Sequence, residues 1–309
     1  MIIKRSCDPD IDFVLHAGDI FDRSSPHKDV LDYAYQLFVT IADRKPLVII
    51  PGNHDRSRFD PRLLQSLSQC YVLNKLSEIY LKISGIDIRI LGFPHTGKEV
   101  NKRLLEIKKP LIPQREFHGY SILLMHELME SAVNGIHNFV FQKWHKGAIA
   151  LKNVPRDFDY IALGHVHRFQ QIFVPDLPQT KIVYSGSIER TSSIEREEKK
   201  GYVETTVNVS ENRLKKNTKI SFIELPTRPL LLFESGVCNP SSMQQLFTRI
   251  QEIVHRCDQK PIVKVRLTEN ADLDWLSATR KLLHSLQLDG ALKSFNVIPV
   301  GWNSQYGTH

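Results

Sequence analysis

Leu163-Gly164-His165-Val166-His167-Arg168 follows directly on the apolar run Tyr160-Ile161-Ala162. That run has the texture of a buried strand, bounded by a glycine. Strand side chains alternate between faces, and a glycine lets the backbone turn sharply. Two histidines leaving a strand in this way can therefore be aimed at one small volume. A single His-x-His says little about metal, since a histidine after an apolar run is more often a satisfied core residue. Its weight depends on what the other strand ends carry.

Three upstream strand ends carry ligand-capable side chains. Asp12-Phe13-Val14-Leu15-His16-Ala17 ends in Gly18-Asp19-Ile20-Phe21-Asp22. Taken alone, Asp19 reads as the N-cap of the next helix. Pro46-Leu47-Val48-Ile49-Ile50 ends in Pro51-Gly52-Asn53-His54-Asp55, three polar side chains in one turn. Tyr120–Met125 ends in His126-Glu127. Strand ends at one edge of an α/β sheet are where ligands bind. Oxygen and imidazole donors suit Mn, Fe or Zn, and the absence of cysteine from the set argues against a structural zinc site. Such a set can hold two cations roughly 3.5–4 Å apart, a separation that clamps the attacking and leaving oxygens of a phosphoryl displacement.

Between these landmarks the spacing predicts a helix over 28–42, a short helix over 61–69, and strands over 71–73, 79–83 and 86–91 with a turn at 84–87. A further helix is expected over 98–108, and 128–156 reads as irregular, with His137 and His145 unassigned. The chain has 309 residues, 41% hydrophobic and 24% charged, enough for one large domain and a small one. No apolar run approaches membrane-spanning length and no signal peptide is visible, so no membrane partner is expected. Four scattered cysteines read as reduced thiols, which places the protein in the cytoplasm. The net charge of +7 is compatible with a polyanionic partner and equally with a mildly basic surface.

The joint pattern Gly-Asp, Gly-Asn-His-Asp, His-Glu, Gly-His-x-His resembles the calcineurin-like metallophosphoesterases. More narrowly, with the long Gly18-Asp19-Ile20-Phe21-Asp22, the stretch Val183–Arg190 and Lys199-Lys200-Gly201-Tyr202, it is similar to the DNA-repair nucleases of the SbcD type, relatives of the meiotic recombination eleven nuclease. The resemblance spans about 12–201. It implies a four-layer αββα core of α/β class, two divalent metals, most commonly Mn, and hydrolysis of DNA phosphodiesters, exonucleolytic and endonucleolytic, in double-strand-break repair. Residue by residue, it implies that Asp19 bridges both metals. Asn53, His126 and His165 complete the second metal site, and His167 belongs to the first. His54 is implied as the catalytic histidine near the scissile phosphate, with Asp55 orienting it. The implied partners are DNA, an SMC-like ATPase of the SbcC type and a second copy of the chain, in the cytoplasm at the nucleoid.

The family's first strand ends in Asp-x-His, both residues binding the first metal. None of the thirteen histidines here has Asp two positions before it. The expectation is that Met1–Cys7 is the tail of the family's first helix and that its first strand is missing. The first metal then keeps Asp19 and His167, and occupancy should be weak or single. An exposed sheet edge and poor solubility would follow.

Beyond Gly201 the texture changes. Residues 202–209 and 218–225 alternate as paired strands, and Pro226–Pro229 reads as a linker. Strand, helix, strand, helix, strand over 230–233, 241–256, 262–267, 272–286 and 294–300 make a small βαβαβ module. The domains expected are 1–225, the metallophosphoesterase part, and 226–309, which resembles the family's capping domain. Trp275 and Trp302 read as packing residues, and Arg213, Lys215, Lys216 and Lys219 as a solvated hairpin. No amphipathic segment for the ATPase follows the module. Two other readings compete: a phosphodiesterase or phosphatase acting on a small substrate, and a non-catalytic DNA-binding scaffold.

Overall fold

The structure, a computed structural model, describes residues 1–55, 64, 67–107, 117–135, 139–141, 145, 147–210, 216–235, 239–268, 271 and 273–299. The expected helix over 61–69 lies mostly outside these residues, as do His137, Arg213, Lys215 and Trp302.

The chain falls into two compact units, each described by itself. The first comprises Met1–Ser187 and Gly201–Glu224. Helix α1 (Ile2–Ser6) leads to strand β1 (Val14–His16), helix α2 (Lys28–Ala42), and strands β2 (Leu47–Ile49) and β3 (Cys70–Val72). β1, β2 and β3 form a small parallel sheet in that order. Strands β4 (Ser77–Ile83) and β5 (Ile86–Gly92) follow, then helix α3 (Val100–Ile107). Strands β6 (Tyr120–Met125), β7 (Tyr160–Leu163), β8 (Gln170–Ile172) and β9 (Lys181–Tyr184) complete a six-stranded sheet. Its order is β8-β9-β7-β6-β5-β4, with the four inner strands parallel and both edge strands antiparallel. In the stretch 128–156, expected to be irregular, the described residues include four two-residue strands and a 3₁₀ turn.

Strand alternation distributes the apolar runs between three cores. From β6, Tyr120, Ile122 and Leu124 face the small sheet, where they meet Val48, Ile50 and Leu73. Leu123 and Met125 point the other way, into a core shared with Val100 and Leu104 of α3. In β2, Leu47 and Ile49 turn outward and pack on Phe38, Ile41 and Ala42 of α2. Every inner strand is buried on both faces, which is why these strands read as unbroken hydrophobic runs. Helix, sheet, sheet and helix separated by three apolar seams make the four-layer α/β arrangement. The antiparallel hairpin β10 (Gly201–Val209) and β11 (Lys216–Glu224) adds Val203, Val207 and Ile220 to the seam between the sheets. Lys216, expected in a solvated hairpin, binds both Asp159 carboxylate oxygens at 3.0 and 2.8 Å. In α1, Arg5 reaches Glu204 of β10 with Nε–Oε1 of 2.7 Å.

The second unit comprises Ile188–Lys200 and the residues from Leu225 on. Ile188–Lys200, placed by the sequence with the first segment, therefore belongs here. Strands β12 (Leu230–Glu234), β13 (Ile262–Leu267) and β14 (Ser294–Pro299) form a parallel sheet, with α4 (Pro240–His255) and α5 (Leu273–Leu288) as the crossovers. Asn239 caps α4 by accepting from the Ser242 N–H at 2.9 Å, and Pro240 occupies the first turn. Leu246, Ile250 and Val254, four apart, bury one face of α4 against Val263, Val265 and Trp275. Lys200 is fully buried, its Nζ 2.6 Å from Glu195 Oε2 and 3.1 Å from Glu198 Oε2. Arg190 binds the carbonyls of Arg196, Glu198 and Arg228 and the Thr227 hydroxyl. The Arg190 bonds to Thr227 and Arg228 tie 188–200 to the rest of this unit, while Lys200 braces the segment internally. Among the described residues no helix is long and apolar enough to cross a membrane.

Candidate metal centre

Four strand ends converge in the first unit. β1 and β2 run parallel, as do β6 and β7, so each pair presents its C-terminal ends together. The chain leaves β1 through Gly18 (φ 86°) and Asp19 (φ 52°), two successive left-handed residues. It leaves β7 through Gly164 and His165, whose φ is 83°. Aspartate and histidine in this region are strained relative to glycine, and such strain gathers at functional sites. Gly52 and Gly164 make the convergence feasible. A Cβ on Gly52 would lie 2.2 Å from Asp19 Oδ1, and one on Gly164 would lie 2.0 Å from the Ala17 carbonyl oxygen.

Asp19, His126 and His165 place one ligand-capable atom each within 4.8 Å of one another, the one such group among the described residues. His126 Nε2 lies 3.1 Å from Asp19 Oδ2, 3.0 Å from Asn53 Oδ1 and 3.2 Å from His165 Nδ1. Asn53 Oδ1 is also 2.9 Å from His165 Nδ1. On its other side His126 Nδ1 donates to the Ala17 carbonyl at 2.6 Å. In the neutral ring that donation uses the one imidazole proton, and Nε2 faces its neighbours as a lone pair. A lone pair, a carboxylate oxygen and an amide oxygen then point at one place. That donor set fits a divalent cation, and the carbonyl bond behind His126 is the support that metal-binding histidines ordinarily have.

The charge state agrees. Burial lowers His165 to a pKa of about 3, helped by His126 and His95 and opposed by Asp19, which leaves the ring neutral. Burial pushes Asp19 upward, but a protonated His126 ring, the form the ring takes when no cation holds Nε2, and the His54 N–H outweigh it, and the carboxyl sits at about 2. His16, buried at the end of β1, is also held below its ordinary value by burial, against the pull of Asp55.

These shifts carry a stability consequence for the metal-free chain. Both histidines have folded values below the unfolded value of about 6.5, so the unfolded chain takes up protons first as pH falls. Their contribution is complete above that value and is lost as pH falls below it, for His165 toward about 3. From pH 7 to pH 5 the loss should be on the order of 2 kcal/mol for His165 alone, with His16 acting in the same direction. Urea unfolding in a chelator at the two pH values measures it; equal stabilities would contradict it.

Each sequence-derived candidate has a definite place. Asp19, Asn53, His126 and His165 come together. His167 stands outside the three-residue group, close enough for its charge to act on His165. His54 follows Asn53 and gives its backbone N–H to Asp19 Oδ1 at 2.9 Å. Asp55 takes partners other than the expected His54 ring. Its two oxygens accept the N–H groups of Ile20 and Gly52, each at 2.9 Å, and so tie the β1 and β2 loops together.

Sequence reasoning passed over His95, at a fifth strand end. It follows Gly92-Phe93-Pro94 after β5, and its ring stacks on His165 with centroids 5.2 Å apart and an interplanar angle of 21°. The signal was the rule already applied to the other four strands. Glu127, fully buried beside it, was noticed in the motif and given no role.

The fold and this centre define a class of protein. The family model "Calcineurin-like phosphoesterase" matches residues 2–169, more than half of the chain, and the chain belongs to that family. Members of this family use divalent metals. Among curated proteins it is similar to DNA double-strand break repair protein Mre11 of Archaeoglobus fulgidus, 24% identical over an alignment of 337 positions that covers all of this chain and 72% of the relative. The Saccharolobus solfataricus protein of the same name is 27% identical, over 62% of this chain and 48% of its own length. That of Methanosarcina mazei is 25% identical, over 81% of this chain and 38% of its own length. The chain thus spans less than half of the second and third of these relatives.

Proposed function

We propose that the chain is a metal-dependent nuclease that hydrolyses DNA phosphodiester bonds during double-strand-break repair. The observation that carries this is the convergence of Asp19, Asn53, His126 and His165 from four strand ends, in a chain similar to Mre11 repair proteins. Asp19, Asn53, His126 and His165 hold one divalent cation, and Asp19 with His167 contributes to a second; manganese is the metal we favour. Bound there, the cations supply Lewis acidity that neutralises charge on the phosphodiester oxygens and favours in-line attack by water.

The chain's own residues do the rest. Asp19 brings the negative charge of the cluster, and its φ of 52° turns the carboxylate toward His126. Asn53 adds an oxygen without further charge. Ala17 fixes the His126 tautomer. His54 gives a proton to the leaving oxygen, and Asp55 keeps its loop in register by binding Ile20 and Gly52. DNA, an SMC-like ATPase and a second copy of the chain are the proposed partners, at the nucleoid.

Hydrolysis of linear duplex DNA with Mn²⁺, beside bis-p-nitrophenyl phosphate, tests the reading. Cleavage of both is expected. Cleavage of the small ester alone favours a small-molecule phosphodiesterase. Cleavage of neither, with DNA still retarded in a gel, favours a binding scaffold. Replacing His54 with alanine should lower cleavage by about 10²- to 10⁴-fold, as loss of a general acid does. Mn²⁺ affinity should stay within about threefold of the parent, well short of the 10- to 100-fold cost of losing support for a metal ligand. A parallel loss of metal would assign His54 a structural role.

A further inference from the structure

The loop after β5 is bolted to the metal centre, although none of its residues belongs to the ligand group. His95 Nδ1 lies 2.7 Å from the His126 carbonyl oxygen and 3.3 Å from Glu127 Oε2. With a carbonyl and a carboxylate in front of it, that nitrogen carries the proton and donates. The ring lies flat against His165 and meets His126 edge-on, the latter at a centroid distance of 5.7 Å and an interplanar angle of 87°. Glu127 is fully buried. Its carboxylate accepts the Thr96 N–H, the Thr96 hydroxyl at 2.8 Å and the Gly97 N–H at 3.2 Å. The Tyr184 hydroxyl donates to the Glu127 carbonyl at 2.8 Å. One buried carboxylate thus holds the backbone of the two residues after His95 and faces its ring.

We propose that His95, held by Glu127, is a positioning residue of the metal centre: it fixes the peptide of His126 and the plane of the His165 ring without binding the ion itself. The inference rests on the cation site of the proposed function and requires nothing of the DNA substrate. Histidine suits the place because one side chain must both donate to a carbonyl and offer a flat face to a neighbouring imidazole. Phenylalanine keeps the face and loses the donor, whereas asparagine keeps a donor near Nδ1 and loses the face. Groups that orient metal ligands typically contribute 10- to 100-fold in affinity.

The test uses the full chain with His95→Phe and His95→Asn. Mn²⁺ affinity is read by calorimetry, ligand geometry by the visible absorption of the Co²⁺-loaded protein, and folding by melting of the metal-free forms. His95→Phe should weaken Mn²⁺ binding about 10- to 100-fold and shift the Co²⁺ bands, with metal-free melting within a few degrees of the parent. His95→Asn should bind Mn²⁺ at least about fivefold more tightly than His95→Phe. Unchanged affinity and spectrum in His95→Phe would overturn the proposal. So would equal weakness of the two variants, or melting lowered by more than about 10 °C, which would assign His95 to loop folding. Failure of the parent chain to bind Mn²⁺ removes the cation site and this inference together. A parent that binds Mn²⁺ but leaves DNA intact refutes the nuclease reading while the role of His95 stands.

Discussion

Asp19→Asn should lower phosphodiester hydrolysis by about 10³-fold, on duplex DNA and on bis-p-nitrophenyl phosphate alike, the upper end of what losing one electrostatic contact in a preorganised site costs. Asp19 is the one carboxylate in the converging group, beside two histidines and an amide. Asparagine preserves its size and its oxygen facing the His54 N–H, which is 2.9 Å away in the parent. What it removes is charge, at a place where the neighbouring donors are neutral. A cation there would keep lone pairs and lose its counter-ion, and in a largely buried site that loss is weakly screened. The same substitution should abolish measurable Mn²⁺ uptake while the metal-free chain remains folded. Activity within tenfold of the parent would show that the carboxylate is not part of the chemistry.

The largest stability effect is expected outside the metal centre, in the second unit. Lys200→Met should destabilise that unit by about 3–5 kcal/mol, because it leaves two buried carboxylates without the ammonium between them. Glu195 and Glu198 lie 2.6 and 3.1 Å from Lys200 Nζ, and all three groups are buried. Glu195 keeps hydrogen bonds from the hydroxyls of Thr191 and Ser192, which do not cancel its charge. Adding Glu195→Gln and Glu198→Gln should recover at least half of the loss, since a buried ion network replaced as a whole costs much less than one broken at a single member. Urea unfolding of the single and triple variants measures both effects. A single variant within about 1 kcal/mol of the parent would mean that water reaches these groups.

The fold was legible where burial is two-sided. β6 was readable as Tyr120–Met125 because both faces of that strand are covered and its one polar residue, Ser121, is itself small and buried. Helix α2 was readable because Phe38 and Ile41 recur at helical spacing toward β2. The convergence of Asp19, Asn53, His126 and His165 was legible for a related reason: parallel strands put their C-terminal ends on one edge, so residues just past four buried runs must be neighbours. Legibility failed where the decisive partner is distant in sequence. Ile188–Lys200 was placed with the first unit because its ties to the second, from Arg190 to Thr227 and Arg228, cross 37 and 38 residues of chain. Asp55 was paired with its chain neighbour His54, whereas its partners are Ile20, across the β1 loop, and the Gly52 N–H. His95 was passed over because its role depends on stacking that a one-dimensional pattern does not carry.

Calorimetric titration of Mn²⁺ into the metal-free chain, repeated with His126→Ala and with Asn53→Ala, tests the central claim most directly. A tight site of about one ion per chain, lost with His126→Ala and weakened at least about tenfold with Asn53→Ala, is the predicted result. No binding to the parent chain, or binding that neither substitution changes, would contradict it.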